Sequence, residues 1–375
     1  MTPAKAFIDK LSNGGFRIVA GVPCSSLGGL IDAATDCSAL RYVSASNEGE
    51  AVAIAAGAWL GGARGAVFLQ NSGLGNAVSP LTSLVDTFGI PLLMIVGWRG
   101  QPGSDDEPQH RLMGELTPEI LRLCRFEVAP IDTVDIGKWH GTPQQDRNLG
   151  LALLVTGGGY RSDGRKSDQP RRTRSSSERR DFCRGERKTT RAEFIDMVVA
   201  AVDSLTAVFS TTGMSSRELF ELGDRPNHLY QVGSMGCVSS VALGFALASG
   251  RRTVVLDGDG AALMRLGALA TIGSEQPANL LHIMLDNGVH DSTGGQPTAT
   301  DVTDLAAVAE ACGYARVAVC DDRSGMDRAL EWASTQALPV FVHARIGGWS
   351  EAVAGRPTVL PRDVAIRFRR HFEVN

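Results

Sequence analysis

Short apolar runs recur along the chain, each closing on a turn and each followed by a stretch with helical spacing. That alternation predicts βαβ units around parallel sheets. In the first half FRIVAGVP, RYVSAS, GAVFLQNSG and IPLLMIVGW read as strands that end in loops, and SSLGGLIDAA and GEAVAIAAGAWLGG as helices between them. In the second half TAVFSTTG, RTVVLDGDG, NLLHIMLDNG and LPVFVHARI are the expected strands, and SSRELFEL, CVSSVALGFALASG and ALMRLGALATIG the expected helices. The two halves share this pattern as whole α/β units; no short repeat runs through them.

The pattern breaks over residues 161–191. RSDGRKSDQPRRTRSSSERRDFCRGERKTTR is rich in Arg, Ser, Asp and Gly and nearly devoid of apolar side chains. Such a stretch buries too little surface to offset its ordering entropy, which predicts a solvated, flexible Arg-rich linker, with a tether for an anionic partner as the alternative. The expected organisation is a first domain over 1–160, which LALLVTGG (151–158) closes as a last strand, the linker over 161–191, and a second domain over 192–375.

Composition narrows the function. Apolar residues make up 43 % of 375 residues, enough for two buried cores, and a net charge of -4 argues against nucleic acid or membrane as partner. MTPAKAFIDKLSNGGF has helical spacing and lacks the apolar run of a signal peptide, and no segment approaches the ~18 apolar residues of a membrane span. The seven cysteines are scattered without a CxxC pair, as in reduced, cytoplasmic proteins.

Chemistry concentrates at two turns. Asp257-Gly258-Asp259-Gly260-Ala261 directly follows the apolar run Thr253–Leu256, and 25 residues separate Gly260 from Asp286-Asn287-Gly288, which follows Leu280–Leu285. Both turns therefore stand at carboxyl ends of strands, where open α/β sheets bind ligands. Mg²⁺ takes oxygen ligands and commonly shares them with phosphate. The Asp259 carboxylate, the Asn287 amide oxygen and the Val289 carbonyl would supply three, and two diphosphate oxygens and a water would complete the shell. Gly258 and Gly260 admit the phosphates close to the backbone, and a following helix N-terminus adds amide donors beside Ala261. In the first half Ser46-Asn47-Glu48-Gly49-Glu50 follows the strand Arg41–Ser44 and opens an Ala-rich helix. Glu48 stands at that helix N-terminus, which favours an acid; Glu50 is its competitor, one step into the helix.

The GDG turn followed at this spacing by a second turn resembles the thiamine-diphosphate enzymes, whose signature is GDG, then 25–30 residues, then NN; Asp286 here replaces the first Asn. The resemblance implies thiamine diphosphate and Mg²⁺ as cofactors, Glu48 as the acid on N1′ of the aminopyrimidine, and Gly233-Ser234-Met235-Gly236 as the place where Met235 wedges between the rings and the Gly233 carbonyl accepts from the 4′-amino group. In place of the His that commonly precedes the family's Glu stands Asn47. GVPCSSL (21–27), SNEGEAVAIAAG (46–57), QNSGLGNAVSPLTSL (70–84), IVGWRGQPGSDDEPQH (95–110), TTGMSSRELFEL (211–222), VGSMG (232–236), LDGDGAALMRLGALATIG (256–273) and LDNGVHDSTGGQPT (285–298) are similar to a narrower group. These are the phosphonopyruvate decarboxylases and the related sulfopyruvate decarboxylases. Thr212 lies in one of these phrases and is expected to bind cofactor. The group implies two doubly wound parallel-sheet domains of the thiamine-diphosphate-binding type with no middle domain: a pyrimidine-binding first domain, a diphosphate/Mg-binding second, and a homo-oligomer with active sites between subunits. Cys24 and Arg265 depart from what phosphonopyruvate enzymes usually carry, Asp and His; sulfopyruvate enzymes can carry Cys at the first.

The expected substrate is a small 2-oxo acid. 3-Phosphonopyruvate carries a carboxylate and a phosphonate, which call for guanidinium forks and hydroxyls. Arg99, His110 and Arg111 in the polar loop WRGQPGSDDEPQHR and Ser25 in the first strand-to-helix turn are the candidates. His290, just past the metal turn, is the candidate proton donor or carboxylate orienter. His140, His228, His282, His343 and His371 have no catalytic context. Decarboxylation to phosphonoacetaldehyde would draw off the product of an unfavourable mutase step in phosphonate biosynthesis, as in an antibiotic producer. Sulfopyruvate decarboxylation, or cofactor binding without catalysis, are the alternatives.

Overall fold

Six strands from the first half pair side by side, all parallel: β1 (Phe16–Gly21), β2 (Arg41–Ser44), β3 (Arg64–Gln70), β4 (Leu92–Gly97), β5 (Phe126–Pro130) and β6 (Gly150–Val155), in the order β2-β1-β3-β4-β6-β5. This computed structural model describes residues 3–139, 141, 150–156, 160, 162, 176–185, 187–337, 339–347 and 354–373. Strands β4 and β6 are buried along their whole length, as a parallel sheet covered on both faces requires. The helix Glu48–Leu60 is buried on every side after its first residue. Its run of Ala and Gly lets it lie almost on the sheet: a Cβ at Gly65 of β3 would stand 2.5 Å from the Ala55 carbonyl oxygen.

The second sheet holds β7 (Glu178–Asp181), β8 (Ala207–Ser210), β9 (His228–Tyr230), β10 (Thr253–Gly258), β11 (Leu280–Asp286), β14 (Arg316–Cys320) and β15 (Val340–Arg345), in the order β7-β14-β15-β11-β10-β8-β9, again all parallel. A separate antiparallel ribbon, β12 (Val289–His290) and β13 (Gln296–Pro297), projects beyond β11 and turns through Gly294 and Gly295, both with positive φ. The chain leaves β8 to one side for β9 and returns on the other for β10. Between β8 and β10 the strand order therefore reverses, and a crevice opens at their carboxyl ends.

Contacts divide the chain into two compact units, Met1–Arg171 and Arg172–Asn375. About half of the segment expected as a linker, 161–191, lies outside the described residues, but its later part departs from the expectation: Glu178–Asp181 is an edge strand of the second sheet. Strand pairing is made by backbone, and a charged edge strand needs only one bonded flank; Arg179 also reaches Asp304 at 3.1 Å. The short strands β5 and β14 escaped the pattern. FEVAP ends in Pro at the sheet edge, where a missing donor is tolerated, and RVAVC is too short to separate from other apolar runs. The helix expected over ALMRLGALATIG is two, Asp259–Met264 and Gly267–Glu275, parted at Arg265. Among the described residues no helix is long and apolar enough to cross a membrane.

One aromatic cluster holds the last helix, Pro361–Glu373, to the second sheet: Phe368 lies 5.1 Å from Phe209, 5.4 Å from Phe245 and 5.0 Å from Phe372, centroid to centroid. Phe368 is fully buried. Phe368→Ala removes a ring from a close-packed site and should cost about 3–5 kcal/mol, measured as a lower midpoint of the second unit's unfolding in urea; an unchanged midpoint would mean that this helix is not part of the cooperative core.

Candidate active site

The acid of the first unit is set by a helix cap. Asn47 is extended (φ -156°, ψ 167°) and its side-chain oxygen accepts from the Glu50 amide at 3.0 Å. Glu50 turns back to accept from the Ser46 amide at 2.6 Å and the Ser46 hydroxyl at 2.5 Å. It is 1 % exposed, and its other oxygen has no partner among the described residues. Glu50 is thus occupied in fixing the helix start. Glu48 is half-buried, accepts from Asn76 at 2.8 Å, and lies directly over Gly73, where any Cβ would overlap its carboxylate. Of the two acids, Glu48 is the one left open to a ligand.

A polar cavity of about 600 Å³ in the same unit is lined by Ser25, Ser26, Trp98, Arg99, Asp106 and Thr156, among others. The structure thus brings Ser25 and Arg99 together, but not His110 and Arg111, which do not line it. Arg111 projects into solvent and pairs with Glu115 at 3.5 Å. Sequence reasoning missed Asp106, which fills the Arg99 fork: Nε donates to both its oxygens, at 2.8 and 3.1 Å, and Nη2 donates to Oδ1. The amides of Gly100 and Glu107 also donate to it, at 2.7 and 2.8 Å. These bonds, the one to Arg99 foremost, hold the Asp106 carboxyl well below the usual range. Cys24 packs beside this turn, its thiol 3.2 Å from Gln70 Oε1 and 3.0 Å from the Ser26 hydroxyl.

In the second unit one cleft opens where β8 and β10 part. It is lined by Thr212, Met235, Gly258, Asp259, Gly260, Ala261, Asn287, Val289 and His290, so the fold gathers residues spread over nearly eighty positions. Gly233 lies in the adjoining turn, where it and Ser234 take positive φ (67° and 43°); Gln231 donates to the Gly233 carbonyl at 3.2 Å and to that of Ser234 at 2.7 Å. The His290 ring lies over Gly260: a Cβ there would meet Cε1 at 2.5 Å.

Asp259 is buried, and the loss of hydration pushes its carboxyl up to about 6; the neighbouring Asp286 charge adds to this and a hydrogen bond from Thr298 opposes it. A buried acid of this kind calls for a cation. Thr298 donates to Asp259 at 2.6 Å, Thr298 and Thr300 stand 2.8 Å apart, and Thr300 donates to Asp286 at 3.0 Å. Burial is the largest influence on Asp286 and opposes its ionisation, but the His343 ring at 2.8 Å, the Thr300 hydroxyl and the Gly288 amide together bring the carboxyl below its ordinary value.

A buried ion cluster borders the cleft. Arg191 donates to Glu218 at 3.0 and 3.2 Å and to Asp291 at 2.5 Å, with all three side chains about nine-tenths buried. Neither Arg191 nor Asp291 was singled out from sequence, because their pairing spans a hundred positions. The other histidines hold structure: His282 bonds Tyr314 at 3.0 Å and faces Asp257, His371 reaches the Ser204 carbonyl at 2.6 Å, and burial lowers His228 to about 4. His343 instead braces the second turn, and His140 lies outside the described residues.

The residues present fit a diphosphate and its cation. The buried hydroxyl of Thr211 and one oxygen of Asp291 have no partner among the described residues, and both residues line the cleft. Among the described residues no group of three or more His, Cys, Asp or Glu is placed to hold a metal ion; a single carboxylate with neutral oxygens would suit a hard cation that also binds phosphate.

Comparison with known proteins agrees with this geometry. Residues 1–120 match the thiamine pyrophosphate enzyme N-terminal TPP binding domain, and residues 211–344 the C-terminal TPP binding domain of the same enzymes. A phosphonopyruvate decarboxylase of Streptomyces viridochromogenes is 44 % identical, over 98 % of this chain and 94 % of that protein. A sulfopyruvate decarboxylase of Methanosarcina acetivorans is 27 % identical, over 100 % of this chain and 98 % of that protein. The crystal structure of benzoylformate decarboxylase from Polynucleobacter necessarius shares the fold with a TM-score of 0.70 at 12 % identity, covering 94 % of this chain and 100 % of that one. By its two matched domains and its near-full-length kinship, the chain belongs to the phosphonopyruvate decarboxylase family of thiamine pyrophosphate enzymes.

Proposed function

We propose that this chain decarboxylates 3-phosphonopyruvate to phosphonoacetaldehyde and CO₂, taking up one proton, with Mg²⁺ beside thiamine diphosphate. The observation that carries the reading is the single cleft joining the Asp259 and Asn287 turns to Met235 and His290. Bound thiamine diphosphate supplies the nucleophilic carbon and the electron sink for the carboxylate's bonding pair. Asp259, Asn287 and the Val289 carbonyl would hold Mg²⁺, and Thr212, Gly258, Gly260 and Ala261 the diphosphate. Met235 and the Gly233 carbonyl would set the fold of the cofactor. Glu48 holds a proton at N1′ of the pyrimidine, and His290 delivers one to the reacting carbon. Ser25 and Arg99 receive the substrate anion; among the described residues Arg99 keeps one nitrogen, Nη1, uncommitted, and the anion competes with Asp106 for the rest. As the family resemblance implies, the reading extends to a homo-oligomer with active sites between subunits, and the free cysteines suit the cytoplasm.

Cys24, which sulfopyruvate enzymes can carry, favours sulfopyruvate as the second reading. CO₂ release should separate them: kcat/KM for phosphonopyruvate should exceed that for sulfopyruvate by at least about 10-fold, or about 1.4 kcal/mol, and should require both Mg²⁺ and thiamine diphosphate. The reverse order of substrates would select the second reading.

The metal assignment has a pH signature. A carboxyl raised to about 6 keeps its proton up to that pH, so below about pH 6 protons compete with Mg²⁺ and metal affinity should fall as pH drops. Asp259→Ala should remove that dependence and weaken cofactor binding by at least ~10-fold, about 1.4 kcal/mol. A calorimetric titration at pH 5.5 and 7.5 checks both; a pH-independent affinity in the unaltered protein would remove Asp259 from the site.

Glu48→Gln should slow C2 proton exchange of the bound cofactor by roughly 10²–10⁴-fold, with Glu50→Gln costing far less. Gly73→Ala should displace the Glu48 carboxylate and cost up to about 10²-fold in CO₂ release. A larger loss in Glu50→Gln than in Glu48→Gln would transfer the role to Glu50.

A further inference from the structure

The two cofactor turns are tied together by side chains that are neither metal nor diphosphate ligands in the reading above. From Asp259 the contacts run to Thr298 (2.6 Å), on to Thr300 (2.8 Å), to Asp286 (3.0 Å) and to His343 (2.8 Å). Thr298 is 8 % exposed, so solvent does not replace its hydroxyl. Each threonine has one hydroxyl proton. With both acids ionised, one proton goes to each: Thr298 donates to Asp259 and Thr300 to Asp286. Neither hydroxyl can then turn its proton to the other, 2.8 Å away, without depriving its own carboxylate of that donor.

Position 286 also needs a carboxylate, and the reason lies in its neighbours. Asp286 accepts from the Thr300 hydroxyl, from the Gly288 amide at 3.0 Å and from the His343 ring. Three donors converge on two oxygens. An amide has one acceptor oxygen for Thr300 and Gly288 and would turn its NH₂ group to His343, whose proton must then move from Nε2 to the partnerless Nδ1. His343 is 2 % exposed and its Nδ1 has no partner among the described residues, which assigns the proton to Nε2, facing Asp286. The ribbon anchors the threonines in turn: the Thr298 amide donates to the Gly288 carbonyl at 2.8 Å, so the segment that carries the hydroxyls is bonded to the turn it braces.

We infer that Thr298 and Thr300 are positioning residues for the metal site, and that Asp286 with His343 is their anchor. The inference rests on the assignment of Asp259 and Asn287 as Mg²⁺ ligands. Metal ligands require their orientation to be held within narrow limits by hydrogen-bonded partners, and loss of such a partner costs about 10–100-fold in metal affinity. The Thr298 hydroxyl orients the Asp259 carboxylate; the Thr300–Asp286–His343 end fixes the turn that carries Asn287 and Val289.

The test is a titration of Mn²⁺ followed by electron paramagnetic resonance, with the full-length protein and saturating thiamine diphosphate. Thr298→Val keeps the side-chain shape and removes the hydroxyl; it should weaken Mn²⁺ binding about 10–100-fold, while Thr298→Ser, which keeps the hydroxyl, should stay close to the unaltered protein. Thr300→Val and Asp286→Asn should each weaken Mn²⁺ binding, the latter even though it restores the Asn of the family signature. Melting temperatures of the metal-free proteins separate this from a packing role, which would lower stability in Thr298→Val and leave Mn²⁺ affinity alone. Equal affinity in Thr298→Val and the unaltered protein, or equal loss in the Ser and Val variants, overturns the inference but not the metal assignment. If the unaltered protein binds no Mn²⁺, both fall. Should Thr298→Val not fold, unchanged affinity in both Thr300→Val and Asp286→Asn overturns it.

Discussion

Two neighbouring carboxylates at the ends of adjacent strands, one buried and one partly buried, are the constraint around which the second unit is arranged. Strands β10 and β11 run in register, Gly258 beside Leu285, so their turns place a buried Asp259 close to a partly buried Asp286. Like charges in that setting repel, and the structure answers with two different environments. Asp286 has an imidazole, an amide and a hydroxyl donor and ionises readily; Asp259 has burial against it and its carboxyl stays high. The difference leaves one acid well satisfied within the protein and one whose charge the protein compensates less well.

The parallel topology makes such a site possible. Parallel strands discharge all their turns at one edge, and a reversal of strand order leaves a gap between two of those turns. In the second unit that gap lies between β8 and β10, beside Thr211–Gly213 and Gly258–Ala261. The same logic governs the first unit, where β1 lies between β2 and β3. There the Ser46–Glu50 cap gives two acids opposite tasks: Glu50 is consumed in holding the helix end, and Glu48, without that duty, remains accessible.

Much of this was legible in the chain itself. The GDG turn, the second turn 25 residues on and the apolar runs before both were enough to locate the cleft, because strand ends and turn chemistry are local properties. Glu48 ranked above Glu50 on sequence for its position at the helix start; the structure adds that Glu50 is hydrogen-bonded to Ser46. By contrast, Arg99 read as a free anion-binding fork, yet Asp106 holds it. The spacing of seven residues carries no signal for such a pair, which only the path of the loop creates. Polar Glu178–Asp181 read as linker because its burial pattern is that of solvent, whereas its strand character comes wholly from the backbone of β14.

The sequence by itself determined the class of fold, the thiamine diphosphate cofactor and the two turns that line the cleft, since these depend on short-range patterns: apolar periodicity, glycines at the turns, and an acid after a strand. Only the tertiary structure decided how those residues are held. Arg191 meets Asp291, Thr300 meets Asp286, and His343 meets Asp286 across separations of 100, 14 and 57 residues. Long-range polar contacts are set by the order in which strands join the sheet. The strand order is imposed by packing of the whole unit, and no local stretch of residues encodes it.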